Sequence, residues 1–173
     1  MAGDYTHLLF VDSDHAWKPE NLFRLLQMDK DVVGIVARRK TPQVVFAGNI
    51  PAGEVWIDET GAMEIADIGT GFVLVRRQVF EKMFEAYPEL KAEHPAPNAS
   101  IAEREAYHLL YQFVIDQTSK REYSEDITFC RRWRNIGGKV YCDASATISH
   151  FGDYDYRGSI SSLFIGKVDE QAV

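Results

Sequence analysis

Residues 6–14, THLLFVDSD, decide the fold, because the apolar run Leu8-Leu9-Phe10-Val11 stops on two carboxylates. The run reads as a buried strand from Thr6 to Val11. The segment from Pro19 to about Lys30 reads as a helix, with proline at an early position and Leu22, Phe23, Leu25 and Leu26 forming an apolar stripe. Strand, polar loop and helix in that order open an α/β unit. Side chains alternate along an extended chain, so Asp12 and Asp14 are expected on one face. Two carboxylates at the end of a strand suit a hard divalent ion, Mn2+ or Mg2+, which keeps positions open for phosphate oxygens. A solvated acidic turn gives the same D-x-D pattern, so the pair acquires meaning only with the motifs that follow.

Working outward, Val32 to Ala37 reads as a second buried strand. After the basic trio Arg38, Arg39 and Lys40 comes a stretch to Gly61 punctuated by Gly and Pro, expected to be antiparallel or irregular. Gly69-Thr70-Gly71 leads into a strand from Phe72 to Val75. Arg77 to Tyr87 reads as a helix through Val79, Phe80, Met83 and Phe84, stopped by Pro88. Residues 88–104 are rich in Pro, Glu and Lys and read as an exposed loop. Tyr107 to Ile115 is expected as a strand of mixed burial. Ser124 is a fair N-cap for a helix running to Ile136 and ending at Gly137-Gly138, before short strands at Lys139 to Cys142 and Ala146 to Ser149. Strands alternating with helices predict an α/β fold, a mixed central sheet flanked by helices.

With 173 residues, 46% of them hydrophobic, the chain supports one core of ordinary size, and 1–173 reads as a single domain. No run of about 18 apolar residues occurs, so no membrane span is expected. The N-terminus lacks a basic-then-apolar leader, which makes the expected compartment cytoplasmic. Cys130 and Cys142 lack metal-ligand spacing and read as buried thiols. A formal net charge of -7 argues against nucleic acid as a partner.

Acidic or imidazole residues stand at three element ends: Asp12 and Asp14 after a strand, Glu125-Asp126 at a helix start, and His150 after a strand. Such ends are where an α/β sheet gathers its site. The succession of DSD, IGTGFVLVRRQVF and SEDITFCRRWRNIGGKVYCDASATISHFG resembles the catalytic portion of a GT-A fold glycosyltransferase, of the family-2-like kind found in bacterial and phage sequences. The resemblance covers roughly residues 5 to 158. It implies a Rossmann-like architecture and transfer of a sugar from a UDP- or GDP-sugar donor to a hydroxyl acceptor, with inversion. By the same resemblance Asp14, Asp12 and His150 hold Mn2+ or Mg2+, with Asp12 nearer the ribose. Asp126, with Glu125 beside it, faces the acceptor as general base, and Gly69, Thr70 and Gly71 form the turn under the donor sugar. In that family a βαβ segment carrying most of the nucleoside pocket precedes the D-x-D strand. Only about five residues do so here, so the N-terminal βαβ portion is expected to be absent, which leaves three readings open: a fragment, a shortened gene product, or a chain whose partner in a homo-oligomer completes the donor site.

Simpler accounts stand beside these. Glu125 and Asp126 also fit favourable charge at a helix N-terminus, worth about 0.3–1 kcal/mol. Arg131, Arg132 and Arg134 fit a solvated helix face, and Arg38, Arg39 and Lys40 a surface cluster after a strand, with contact to a phosphate as the alternative for that trio. His7, His15, His94 and His108 carry no site signal. Trp56, Tyr154 and Tyr156 are candidates to stack on a sugar, Tyr154 and Tyr156 above all, and Trp133 belongs to the core stripe. Two other functions stay open: a truncated domain binding metal or carbohydrate without turnover, and a haloacid-dehalogenase-like phosphatase with Asp12 as nucleophile. Against the phosphatase, Ala16 stands where a Thr would be expected.

Overall fold

In the computed structural model, which describes residues 3–164, the elements follow in this order. They are β1 (His7–Val11), β2 (His15–Ala16), α1 (Pro19–Met28), β3 (Val32–Gly34), β4 (Gly48–Asn49), β5 (Ala62–Ile65), β6 (Asp67–Ile68), β7 (Phe72–Arg76) and α2 (Arg77–Ala86). Then come α3 (Ile101–Ala106), β8 (Val114–Ile115), β9 (Glu122–Tyr123), α4 (Glu125–Asn135), β10 (Val140–Asp143), β11 (Ser149–Phe151) and β12 (Asp155–Tyr156). The central sheet is mixed, in the order β1-β7-β3-β10-β5; β3 and β10 run parallel and every other pair antiparallel. A smaller antiparallel sheet, β12-β11-β2, sits beyond the end of β1.

Alternation along β7 shows how the sheet organises its two cores. Val73 and Val75 join Val79, Phe80 and Met83 of α2 and Phe129, Cys130 and Trp133 of α4, whereas Phe72 and Leu74 join Leu25 and Met28 of α1. Helices therefore cover both faces, and the α/β class expected from the sequence holds. Both cysteines are buried free thiols, and burial pushes each up to about 12, which keeps them protonated and inert. No helix of the described residues is long and apolar enough to cross a membrane.

Two expectations of burial need correction: β1 lies at the sheet edge with Leu8 and Val11 exposed rather than buried, and on α1 Phe23 and Leu26 face solvent, so Leu22, Leu25 and Met28 carry the buried face. Three further expectations need correction, each for a local physical reason. The strand expected over Tyr107 to Ile115 is reduced to β8, because the Arg132 guanidinium donates to the carbonyls of Leu109 (2.9 Å) and Leu110 (2.7 Å) and to Gln112 Oε1 (2.9 Å). A side chain thus replaces a neighbouring strand, and Arg132 is no solvated helix residue. The strand expected over Ala146 to Ser149 begins only at Ser149. Asp143 Oδ1 accepts from the backbone N–H groups of Ser145 and Ala146, both at 3.0 Å, and folds the chain into a turn. Within the expected loop 88–104, a 3-10 turn forms at Pro88–Leu90 and α3 begins at Ile101, under a capping box between Ser100 and Glu103.

Asp143 is also the main charged group of the core. Its side chain is 0% exposed, and Arg24 donates to it from Nε (2.7 Å) and Nη2 (3.1 Å). Burial pushes this carboxyl up, but the bonds from Arg24 and Ser145 outweigh burial and hold it below its usual range. A depressed carboxylate stabilises the fold above its unfolded value of about 4, and that contribution is lost as pH falls through the folded value. Arg24 is half-exposed, so Arg24→Met is expected to cost about 2 kcal/mol at pH 7, below the range for fully buried pairs. The gap from wild type should close as pH falls below about 4. Urea denaturation at pH 7 and pH 3 checks both points; a gap that persists undiminished at pH 3 would show that the pair does not act through the Asp143 charge.

Candidate metal centre

The site forms where β1 ends against the small sheet. Asp12 and Asp14 do not sit on a continuing strand: His15 N donates to the Asp12 carbonyl at 3.1 Å, closing a tight turn over Asp12-Ser13-Asp14. Asp12 N meets the Gly71 carbonyl at 2.9 Å, which anchors the start of that turn to the Gly69–Gly71 segment. The chain then enters β2, where His15 lies directly opposite His150 of β11. Residues directly opposite on antiparallel strands project to the same face. The two imidazoles accordingly stack at 4.3 Å between centroids, 16° from parallel.

Asp14, His15 and His150 thereby place one ligand atom each within 4.8 Å of one another. His150 Nδ1 lies 2.8 Å from the Arg38 carbonyl, which can only accept, so Nδ1 carries the proton and Nε2 faces Asp14 Oδ2 at 3.5 Å. A backbone carbonyl fixing the far nitrogen is the usual way of aiming an imidazole at a metal. His15 is the stronger sign. Its side chain is 2% exposed, neither ring nitrogen has a hydrogen-bond partner among the described residues, and Nδ1 lies 3.4 Å from Asp14 Oδ1. A buried imidazole with both nitrogens unsatisfied is costly, and a bound cation relieves it. Burial and then the neighbouring His150 push His15 down, so at neutral pH it is an uncharged ring with a lone pair to give. Asp14 is held below the usual carboxylate range, first by the hydrogen bond from the Lys40 ammonium at 2.6 Å.

Asp12 stands outside this set; its Oδ2 reaches His15 Nδ1 at 3.8 Å and is otherwise turned to solvent. His15, given no role from sequence, takes the place expected for Asp12. Period-two alternation puts residue 15 on the face opposite Asp14, and only the turn at 12–15 reverses that. The donor set also changes. Two imidazoles and one carboxylate suit Mn2+ better than Mg2+, which prefers oxygen throughout.

The Gly69–Gly71 segment is packed from both ends. A Cβ on Gly71 would stand 2.6 Å from His15 Cε1 and 3.2 Å from Asp12 Oδ2; one on Gly69 would stand 3.3 Å from Asp126 Oδ2. The absent side chain of Gly71 thus makes room for His15 itself. Gly69 and Gly71 are two residues apart, with Cα atoms at most about 7 Å apart, so one short segment packs against Asp126 at one end and against His15 at the other. Asp126 and Glu125 open α4, whose N-cap Ser124 makes no side-chain cap bond. Next to Asp126 lies Asp67, a buried carboxyl that the sequence did not single out. Burial pushes it up, the charge on Asp126 adds to this, and a hydrogen bond from Asn49 (2.7 Å) opposes it.

Of the expected sugar-stacking residues, Tyr156 is only 6% exposed, with its ring stacked on Tyr154 at 4.0 Å, so Tyr154 alone of the pair presents a ring to solvent. Trp56 is exposed, and Trp133 is core. At the far end of β1 from the site, an apolar groove opens between Tyr5, Leu8, Phe80, Ala102 and Ala106.

No protein-family model and no curated protein matches this chain. Among solved structures it is similar to A197 from STIV, at 17% sequence identity and a TM-score of 0.47, over 91% of this chain. The chain spans 63% of the length of that protein.

Proposed function

We propose that this chain is the catalytic portion of a metal-dependent glycosyltransferase of GT-A type. It would move a sugar from a nucleoside-diphosphate donor to a hydroxyl acceptor with inversion. The observation that carries the reading is the Asp14, His15 and His150 group packed, through His15, against one end of the Gly69–Gly71 segment whose other end meets the Asp126 carboxylate. Asp14, His15 and His150 would hold the ion, and its chemistry is to offset the negative charge that grows on the departing diphosphate. Asp126 accepts the acceptor hydroxyl's proton as the new oxygen–C1 bond forms and the C1–phosphate oxygen bond breaks, the bonding pair leaving with the diphosphate. The 69–71 backbone lines the space between, and Tyr154 offers a ring face to a sugar.

Calorimetric titration with UDP and with GDP, each with Mn2+, with Mg2+ and without metal, tests this. Binding of one nucleotide that depends on Mn2+, and is at least about 10-fold weaker with Mg2+, is the expected result given the two imidazole donors. Metal binding without nucleotide binding would favour the non-catalytic binding domain instead. A phosphoenzyme trapped at Asp12 would favour the phosphatase.

A further inference from the structure

Lys40 has no place in the chemistry above, yet it occupies the centre of the site. Its Nζ donates to Asp14 Oδ2 at 2.6 Å, and this is the same oxygen that His150 Nε2 faces at 3.5 Å. Its aliphatic stem crosses Gly152, where a Cβ would lie 3.0 Å from Lys40 Cδ and 3.5 Å from Cγ, so glycine keeps the track open. The backbone beneath is held. Arg39 N donates to the Val45 carbonyl and Thr41 N to the Arg39 carbonyl, each at 2.8 Å, while the Arg38 carbonyl accepts a hydrogen bond from His150 Nδ1. Residues 38–40 therefore touch two of the three metal-ligating side chains. An ammonium is a compact point charge, and here it lies on a carboxylate oxygen that a divalent ion held by Asp14 and His150 would also use. Two cations on one carboxylate oxygen repel, so each weakens the other's hold on it.

We propose that Lys40 is a tethered counter-cation: it neutralises Asp14 in the metal-free chain, is displaced when the divalent ion binds, and then donates to the diphosphate of the arriving donor. The competition concerns metal alone, while the second role rests on the glycosyl-donor reading. A long stem with a single charged tip suits transfer between two neighbouring anions, since its three donors need no fixed plane. The ion and the diphosphate would then bind cooperatively, each favouring the state in which Lys40 has left Asp14.

The two roles predict opposite signs in one variant, which no purely structural role does. In calorimetry, Lys40→Met should bind Mn2+ about 2- to 5-fold more tightly, the equivalent of losing an exposed ion pair as competitor. It should bind inorganic pyrophosphate, at saturating Mn2+, at least about 10-fold more weakly, the scale of one charge-assisted hydrogen bond. Lys40→Arg should restore pyrophosphate binding. Mn2+ affinity that is unchanged or weaker in Lys40→Met overturns the competition, and unchanged pyrophosphate affinity overturns the second role; in either case the metal site itself stands. If instead wild type binds no Mn2+, or Asp14→Asn binds it as tightly as wild type does, both this inference and the metal-site reading fall.

Discussion

Asp14→Asn is expected to weaken Mn2+ binding by about 100-fold or more, since losing a direct ligand should cost at least the upper end of what losing a supporting partner costs. Asp14 supplies one oxygen towards each histidine, Oδ1 towards His15 and Oδ2 towards His150, so no other side chain in the cluster can replace it. An amide keeps the shape and removes the charge. The fold should survive, because the Asp14 side chain is 40% exposed and lies outside both cores; a stability change within about 0.5 kcal/mol is expected. Isothermal titration with MnCl2, alongside thermal unfolding, checks both halves. Unchanged Mn2+ affinity in a variant that melts like wild type would remove Asp14 from the site.

Asp126→Asn should leave Mn2+ and nucleotide binding close to wild type and slow sugar transfer by roughly 10^2 or more, the scale of losing a general base. The separation of effects follows from position. Asp126 opens α4 and lies against Gly69, whereas Asp14, His15 and His150 come from the β1–β2 turn, β2 and β11. An amide at 126 keeps the helix start but cannot take a proton, and the loss of helix-terminal charge costs only about 0.3–1 kcal/mol. Single-turnover assays with the nucleotide sugar found by titration would measure the step directly. Transfer at the wild-type rate would exclude Asp126 as base. An equal loss in nucleotide affinity would place it in donor binding instead.

The legibility of this chain differs from element to element for identifiable reasons. β1, α1, β7, α2 and α4 were readable because each follows a single period: an apolar run bounded by polar turns, or a stripe at helical spacing closed by Pro88 or by Gly137-Gly138. Gly138 shows how local that information is, since a Cβ there would lie 2.1 Å from the Trp133 ring. The S-x-x-E start of α3 at Ser100 was present in the sequence and was masked by the polar composition around it. The loss of a strand before β8 was not readable, because it depends on Arg132 reaching carbonyls 22 and 23 residues earlier in the chain.

The sequence by itself determined the α/β class, the apolar faces of α2 and α4, the burial of both thiols and the positions of Asp14, Asp126 and His150 at element ends. Those properties depend on composition and on periods of two and 3.6, which neighbouring residues alone impose. Only the tertiary structure decided that His15 replaces Asp12 beside Asp14 and His150, that Gly71 is needed to admit His15, and that Lys40 holds the Asp14 carboxylate. Each of these depends on a cross-strand pair or a turn that joins residues far apart in the chain, such as His15 with His150. A turn of four residues reversed the face on which His15 lies. Periodicity carries no information about such a reversal, because it is set by the Gly71 carbonyl and by the strand that His15 meets.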